Sequence, residues 1–388
     1  MHKKLMSLVG WGVLAVAVSA QTIQQQDIFV AGEGGYHTYR IPAIVRALDG
    51  TLLAFCEGRK KSASDTGDID LILKRSVDGG QTWSEFVVLW DDGDNTCGNP
   101  CPVVDATTGV IWLWATHNLG TDREHDIITG QATGTRTPWL MSSRDHGLTW
   151  SEPRPMAEHV KDPAWGWYAT GPGIGIQVQA GPHRGRLVVP GVHSYDDPAG
   201  DLRGEPFEYG SHVIYSDDKG ESWQLGGVVR PKVNECQVVE LEQRPGALLL
   251  NMRSYFEQHC RAEAVSWDGG LTWSGPINQP ELVEPRAQAS LLRHRWSSGQ
   301  VPGVLIFANP GDPRERRSMT VRFSLDDGQT WPHAVTLHDQ FSAYSSLVSL
   351  GPELIGCLYE RGHSLRPRSY ERITWARITI SDLVPADL

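Results

Sequence analysis

A carboxylate and an arginine stand on neighbouring strand-like runs of this chain. Asn234-Glu235-Cys236-Gln237-Val238-Val239-Glu240-Leu241 is apolar between acidic ends, and alternation puts Glu235 and Gln237 on one face and Glu240 on the other. A carboxylate entering a core is costly unless it is paired. The partner on offer is Arg253, in the next run, Leu249-Leu250-Asn251-Met252-Arg253-Ser254. Such a pair could hold two strands in register or take part in catalysis, and on these residues alone both stay open. Tyr344 lies between small residues in Phe341-Ser342-Ala343-Tyr344-Ser345-Ser346-Leu347, free to project its hydroxyl. Glu360, closing Gly356-Cys357-Leu358-Tyr359-Glu360, could hold an arginine.

Arginines are the other reactive theme. In Tyr39-Arg40-Ile41-Pro42 the proline restricts Ile41 to an extended backbone, which would fix the direction of Arg40. Glu57-Gly58-Arg59-Lys60-Lys61-Ser62-Ala63-Ser64-Asp65-Thr66-Gly67-Asp68 is a polar loop between two strands, with Asp65 and Asp68 equally placed as loop acids. Arg314, Arg316, Arg317 and Arg322 crowd a third stretch. The formal net charge is −11, and the scattered Lys and Arg give no nucleic-acid stripe. Arginines converging in a cleft can still hold an anion, because the local field outweighs net charge at short range. Asn99-Pro100-Cys101-Pro102 has the rigid, extended character of a loop entering a strand, where Asn99 could cap a turn or touch a ligand. Trp165-Gly166-Trp167-Tyr168-Ala169-Thr170-Gly171-Pro172-Gly173 could be core or a stacking surface for a sugar.

The elements that must position these residues are set by a repeat. Ser76-Val77-Asp78-Gly79-Gly80-Gln81-Thr82-Trp83 recurs at Ser143–Trp150, Ser216–Trp223, Ser266–Trp273 and Ser324–Trp331. Asp accepts hydrogen bonds from turn amides, Gly supplies left-handed backbone, and the closing Trp returns to an apolar side. Alternating runs such as Ile69–Lys74 and His212–Tyr215 precede the turns, so each unit reads strand, turn, strand.

These turns resemble the Asp boxes of sialidases. The resemblance implies an all-β fold, a six-bladed β-propeller with four-stranded antiparallel blades, in which the boxes are structural and lie away from the active site. It extends from about Tyr36 to Glu360. Arg-Ile-Pro resembles the sialidase motif whose arginine, here Arg40, binds the substrate carboxylate. By the same resemblance Asp65, after Arg59 on its loop, is the acid/base, and Asn99 contacts the sugar. Glu235 and Arg253 match the catalytic Glu and the second carboxylate-binding arginine. Arg316 matches the third better than Arg317, Ala343-Tyr344-Ser345 the nucleophile segment, and Glu360 the residue that orients Arg40. Where bacterial relatives often carry a His, this chain has Ile174.

The function implied is that of a glycoside hydrolase, an exo-α-sialidase releasing terminal sialic acid from glycans, glycoproteins or glycolipids. A non-catalytic sialoglycan-binding propeller is the alternative, as is a trans-sialidase, an anhydro-forming enzyme or a hydrolase of deaminated sialic acid on the same scaffold. No cofactor or metal is expected. None of Cys56, Cys97, Cys101, Cys236, Cys260 and Cys357 has zinc-site spacing, and pairing of Cys97 with Cys101 stays open. His2-Lys3-Lys4, the apolar run Leu5 to Val18, and Val18-Ser19-Ala20 have the three parts of a secretory signal peptide, too short to span a membrane. Residues 1–20 are therefore expected to be removed, leaving 21–388 as one secreted or periplasmic domain, a monomer without a membrane anchor. Its C-terminal run, Ile373–Ile378, would close the ring on N-terminal strands.

Overall fold

A computed structural model describes residues 23–202, 204–363 and 369–380; the expected leader lies outside these. The regular structure of the described chain is β-strand apart from two one-turn helices, Glu124–Ile128 and Ala157–Val160. Among the described residues no helix is long and apolar enough to cross a membrane.

Strands follow one another antiparallel in chain order. Thr38–Arg46, Leu52–Arg59, Ile69–Ser76 and Val87–Trp90 make the first group. Thr96–Val104, Ile111–Asn118, Thr137–Ser143 and Arg154–Pro155 make the second, joined to the first by a single parallel bridge from Ile69 to Thr96. Leu187–Asp196 then pairs with Tyr168–Thr170 and Ile176–Gln177 on one side and Phe207–Ser216 on the other, with Gln224–Val229 outermost. Val233–Glu240, Leu248–Ser254, Cys260–Ser266 and Ile277–Val283 form a sheet of their own. Ser290–Arg295, Val304–Pro310 and Arg317–Ser324 lead to a long strand, His333–Gly351, whose second half starts another group with Leu354–Arg361 and Arg372–Thr379. Gln24–Val30 completes that group by pairing with Arg372–Thr379, so residues near the two ends of the described chain share one sheet.

Burial falls along the first group. Thr38–Arg46 is buried at every position but the last, whereas Val87–Trp90 has no buried residue. The leading strand is therefore largely apolar, because both of its faces are covered. Between sheets the closing Trp of the repeat does the packing: Trp83 meets Trp375 edge-on at 5.6 Å, Trp150 meets Phe55 at 5.7 Å and Trp223 meets Trp114 at 5.0 Å.

The five repeat turns share one geometry. In each, the Gly amide donates to the Ser hydroxyl four residues back at 2.8 Å. The Thr or Ser amide before the Trp donates to the Asp carboxylate at 2.9 Å. Gly80 shows why a larger residue fails: its φ is +85°, and a Cβ there would lie 2.2 Å from the Trp375 ring. All six cysteines are buried and unpaired, Cys97 and Cys101 included.

Candidate active site

Four leading strands carry an irregularity near the same end. Pairing register shifts between Arg40 and Ala43, Gly98 and Cys101, Val233 and Cys236, and Ser342 and Ser345. Such bulges re-aim side chains out of regular alternation. They carry Arg40, Asn99, Glu235 and Tyr344. Ile41 and Asn99 have φ of 58° and 51°. This corrects the expectation that each Pro-preceding residue is extended. The left-handed turn at Ile41 is held because its amide donates to Glu360 Oε1 at 2.9 Å, outweighing the steric preference imposed by Pro42.

These side chains line one cavity of about 300 Å³ with mostly polar walls. Arg40, Arg59, Asp65, Asn99, Glu235, Arg253, Arg316 and Tyr344 all reach it, and Glu360 lies directly behind. Tyr344 is the hub. Its hydroxyl donates to Glu235 Oε1 at 2.5 Å, and Arg253 Nη1 reaches Glu235 Oε2 at 2.8 Å and the Tyr344 oxygen at 3.4 Å. The guanidinium carbons of Arg40 and Arg316 lie 4.8 and 5.4 Å from the centre of the Tyr344 ring. Three arginines from distant parts of the sequence thus converge on one phenol. Burial and the Glu235 charge push the Tyr344 hydroxyl well above its ordinary pKa, against the opposing pull of the three arginines, so the phenol is neutral and its proton points at a carboxylate.

Arg40 is fixed from behind. Both oxygens of the fully buried Glu360 accept from it, at 3.0 and 3.2 Å, and Glu360 also accepts the Tyr344 amide at 3.0 Å. Asp65 sits at the mouth, its side chain 63% exposed, with Oδ1 2.8 Å from Arg59 and 3.3 Å from Arg40. Desolvation among the surrounding walls opposes its charge, but the Arg59 and Arg40 guanidiniums overcome that and hold its carboxyl well below the usual range. Asp68, the other loop acid, is turned away and pairs with Lys60 at 3.1 Å. Arg316 precedes its strand and donates to the Tyr370 hydroxyl at 2.8 Å, whereas Arg317 pairs with Glu315 at the surface. Arg322 donates to Asn309 at 3.0 Å, outside the cavity.

The structure adds residues that sequence reasoning missed. Glu57 accepts from Arg59 at 2.6 and 2.9 Å and from the Asn99 amide at 2.9 Å. Gly98 makes room for it, since a Cβ there would lie 2.3 Å from Glu57 Oε1. Alternation within Leu52–Arg59 places Glu57 and Arg59 on one face, a signal that was available. Arg136 donates to Asn99 Oδ1 at 2.5 Å and stacks 4.3 Å from the Trp167 ring, which lines the cavity. Tyr370 covers Arg40, its ring centre 4.0 Å from the guanidinium carbon. Neither Arg136 nor Tyr370 lies in a recognisable pattern. Trp165 instead stacks on the buried His193 at 3.7 Å, and Ile174 belongs to the apolar core. Among the described residues no cluster of His, Cys, Asp or Glu side chains is placed to hold a metal ion.

The arrangement can grip a small carboxylate and place a neutral phenol, with a base beside it, against the atom that bears that carboxylate. A family model described as a BNR repeat-like domain matches residues 50–355. The sialidase of Micromonospora viridifaciens is 33% identical over 380 residues, covering 92% of this chain and 56% of that protein. Human sialidase-3 is 30% identical over 375 residues, covering 84% of this chain and 86% of that protein. The solved structure of Hadza microbial sialidase Hz136 is similar with a TM-score of 0.79 at 32% identity, covering 91% of this chain and 68% of that one. The chain thus spans little more than half the length of its Micromonospora relative.

Proposed function

This chain belongs to the sialidase family and has its β-propeller fold, and from that premise we propose that it is a secreted exo-α-sialidase that hydrolyses terminal sialic acid with retention. The observation that carries the proposal is Tyr344 donating to Glu235 at 2.5 Å within reach of three guanidiniums. We read the pairing order as six four-stranded blades in one monomeric domain, released from its N-terminal leader.

Sialic acid carries its carboxylate on the carbon to be attacked. Arg40, Arg253 and Arg316 would take that carboxylate through charge-assisted bonds, each contributing about 1.5–3 kcal/mol. An anionic nucleophile would be repelled there, so a neutral phenol suits the site. Glu235 accepts the Tyr344 proton as the phenolic oxygen bonds to the anomeric carbon. Asp65 protonates the departing oxygen, then deprotonates the water that releases the sugar. Arg59 and Arg40 hold Asp65 anionic. A substrate carboxylate that engages Arg40 weakens that hold and raises the Asp65 pKa toward the protonated form the first step needs.

NMR of the products from one α-sialoside tests the reading. The α-anomer of free sialic acid should appear first. A β-anomer first would overturn retention, an anhydro-sugar or transfer product would move the chain to another outcome on this scaffold, and binding without turnover would make it a lectin.

A further inference from the structure

The strands that bring Arg40, Asn99, Glu235 and Tyr344 to the cavity converge a second time toward their other ends. Arg46 follows Arg40 by six residues, a rise of about 20 Å along an extended strand. A pit of about 300 Å³ lies there, and it shares no lining residue with the catalytic cavity. Its wall is aliphatic: Ile44, Val104, Ile174, Val239, Leu291 and Leu347 reach it from six different segments of the chain. Along the strands between the two spaces stand Gln237 and Ser345. Gln237 donates to the Pro172 carbonyl at 3.2 Å, and the buried Gln288 donates to the same carbonyl and to that of Ser345, both at 2.9 Å. That closed polar layer separates the pit from the chemistry.

We propose that this pit binds a straight-chain amphiphile with a single anionic head, a medium-chain carboxylate, its alkyl chain against the aliphatic wall and its head at Arg46. The inference stands apart from the sialidase reading. Charge at the rim selects the head group. Arg293 donates to the Glu240 carbonyl at 3.1 Å and pairs with Asp327. The Glu240 carboxylate takes the backbone amides of Gln179, Ala180 and Gly246. Arg46 is exposed and makes no ion pair among the described residues, so the one charge at the rim left without an answer is a cation. An alkyl chain suits the wall better than a ring, since the only aromatic side chain lining the pit is Trp296, which faces Arg293 at 5.1 Å. A cavity of about 150 Å³ takes a six-carbon ring, so the 300 Å³ here suits a chain of about eight to ten carbons. An apolar pocket with one placed polar group is the usual form of a small-molecule site.

Calorimetric titration of the full chain with hexanoate, octanoate and decanoate, below micelle formation, tests the site. Affinity should tighten about fourfold per added methylene until the pit is filled. Because Arg46 is exposed, replacing it leaves the core untouched. Arg46→Ala should weaken octanoate roughly five- to tenfold and leave octan-1-ol unchanged, and Arg46→Glu should make octylammonium the tighter ligand. Turnover of an aryl sialoside should be the same in both variants as in the unsubstituted chain. Absence of saturable decanoate binding would overturn the proposal. So would chain-length-dependent binding that neither Arg46 variant alters, which would put the amphiphile elsewhere on the molecule. A dimer seen by sedimentation that Arg46→Glu splits would overturn it in favour of a second copy of this chain at the pit.

Discussion

Glu360 faces Arg40 with both carboxylate oxygens, at 3.0 and 3.2 Å, and is itself fully buried. The same two oxygens take the amides of Ile41 and Tyr344, so one side chain sets an arginine, the bulge that aims it and the backbone of the phenol. Glu360→Gln replaces one oxygen by a donor that would face donors. We expect a stability loss of about 3–5 kcal/mol, the range for breaking a buried pair, seen as an earlier urea midpoint. The folded fraction should show a raised KM for a sialoside, because Arg40 loses its aim. An unchanged KM would detach Glu360 from substrate capture.

Removing the hydroxyl in Tyr344→Phe leaves Glu235 still paired with Arg253 at 2.8 Å, so folding should be nearly unaffected. Turnover of an aryl sialoside should drop to a trace with no shift in melting temperature. Glu235→Gln should cost about 10²–10⁴ in kcat, the usual worth of a general base. Near-normal turnover in either variant contradicts the roles assigned to the pair.

Lys161 predicts an unusual pH dependence. Its ammonium donates to the carbonyls of Arg136 at 2.9 Å and Gly166 at 3.1 Å and to the Thr135 hydroxyl at 2.7 Å, stapling together the two segments that bring Arg136 and Trp167 to the cavity. Burial lowers its pKa from 10.5 to about 8. Between those values the unfolded chain holds a proton the folded chain has shed, so this group's contribution to stability rises as pH climbs from 8 to 10.5. Urea midpoints of the unsubstituted chain and Lys161→Met across that window should converge or cross by up to about 3 kcal/mol, with the variant flatter. Parallel curves would show that Lys161 titrates normally.

Much of the fold was legible because its signals are local. Five copies of one turn, each closed on itself by Ser, Asp and Gly, mark where strands reverse, and the Trp that ends each copy marks the side that packs. The site was legible only where a residue lies in a distinctive run, as Arg40 does before Ile41-Pro42. Arg316 and Arg317 are adjacent, and nothing local shows which one Tyr370 will hold. The bulges were invisible for a related reason: they are fixed by partners far along the chain, as Glu360 fixes Ile41 from 319 residues away. Arg136 has no sequence signal at all, since its place is defined by Asn99 and Trp167 from two other strands or loops.

The pairing of Gln24–Val30 with Arg372–Thr379 has a consequence for biosynthesis. Gln24–Val30 must wait until Arg372–Thr379 has been translated, an interval of about 20 to 70 s at ordinary elongation rates. Throughout that time its unpaired edge is open to other nascent chains. The sheet can close only once Arg372–Thr379 has left the ribosome, so a chaperone that shields Gln24–Val30 should raise yield more than one acting on the middle of the chain.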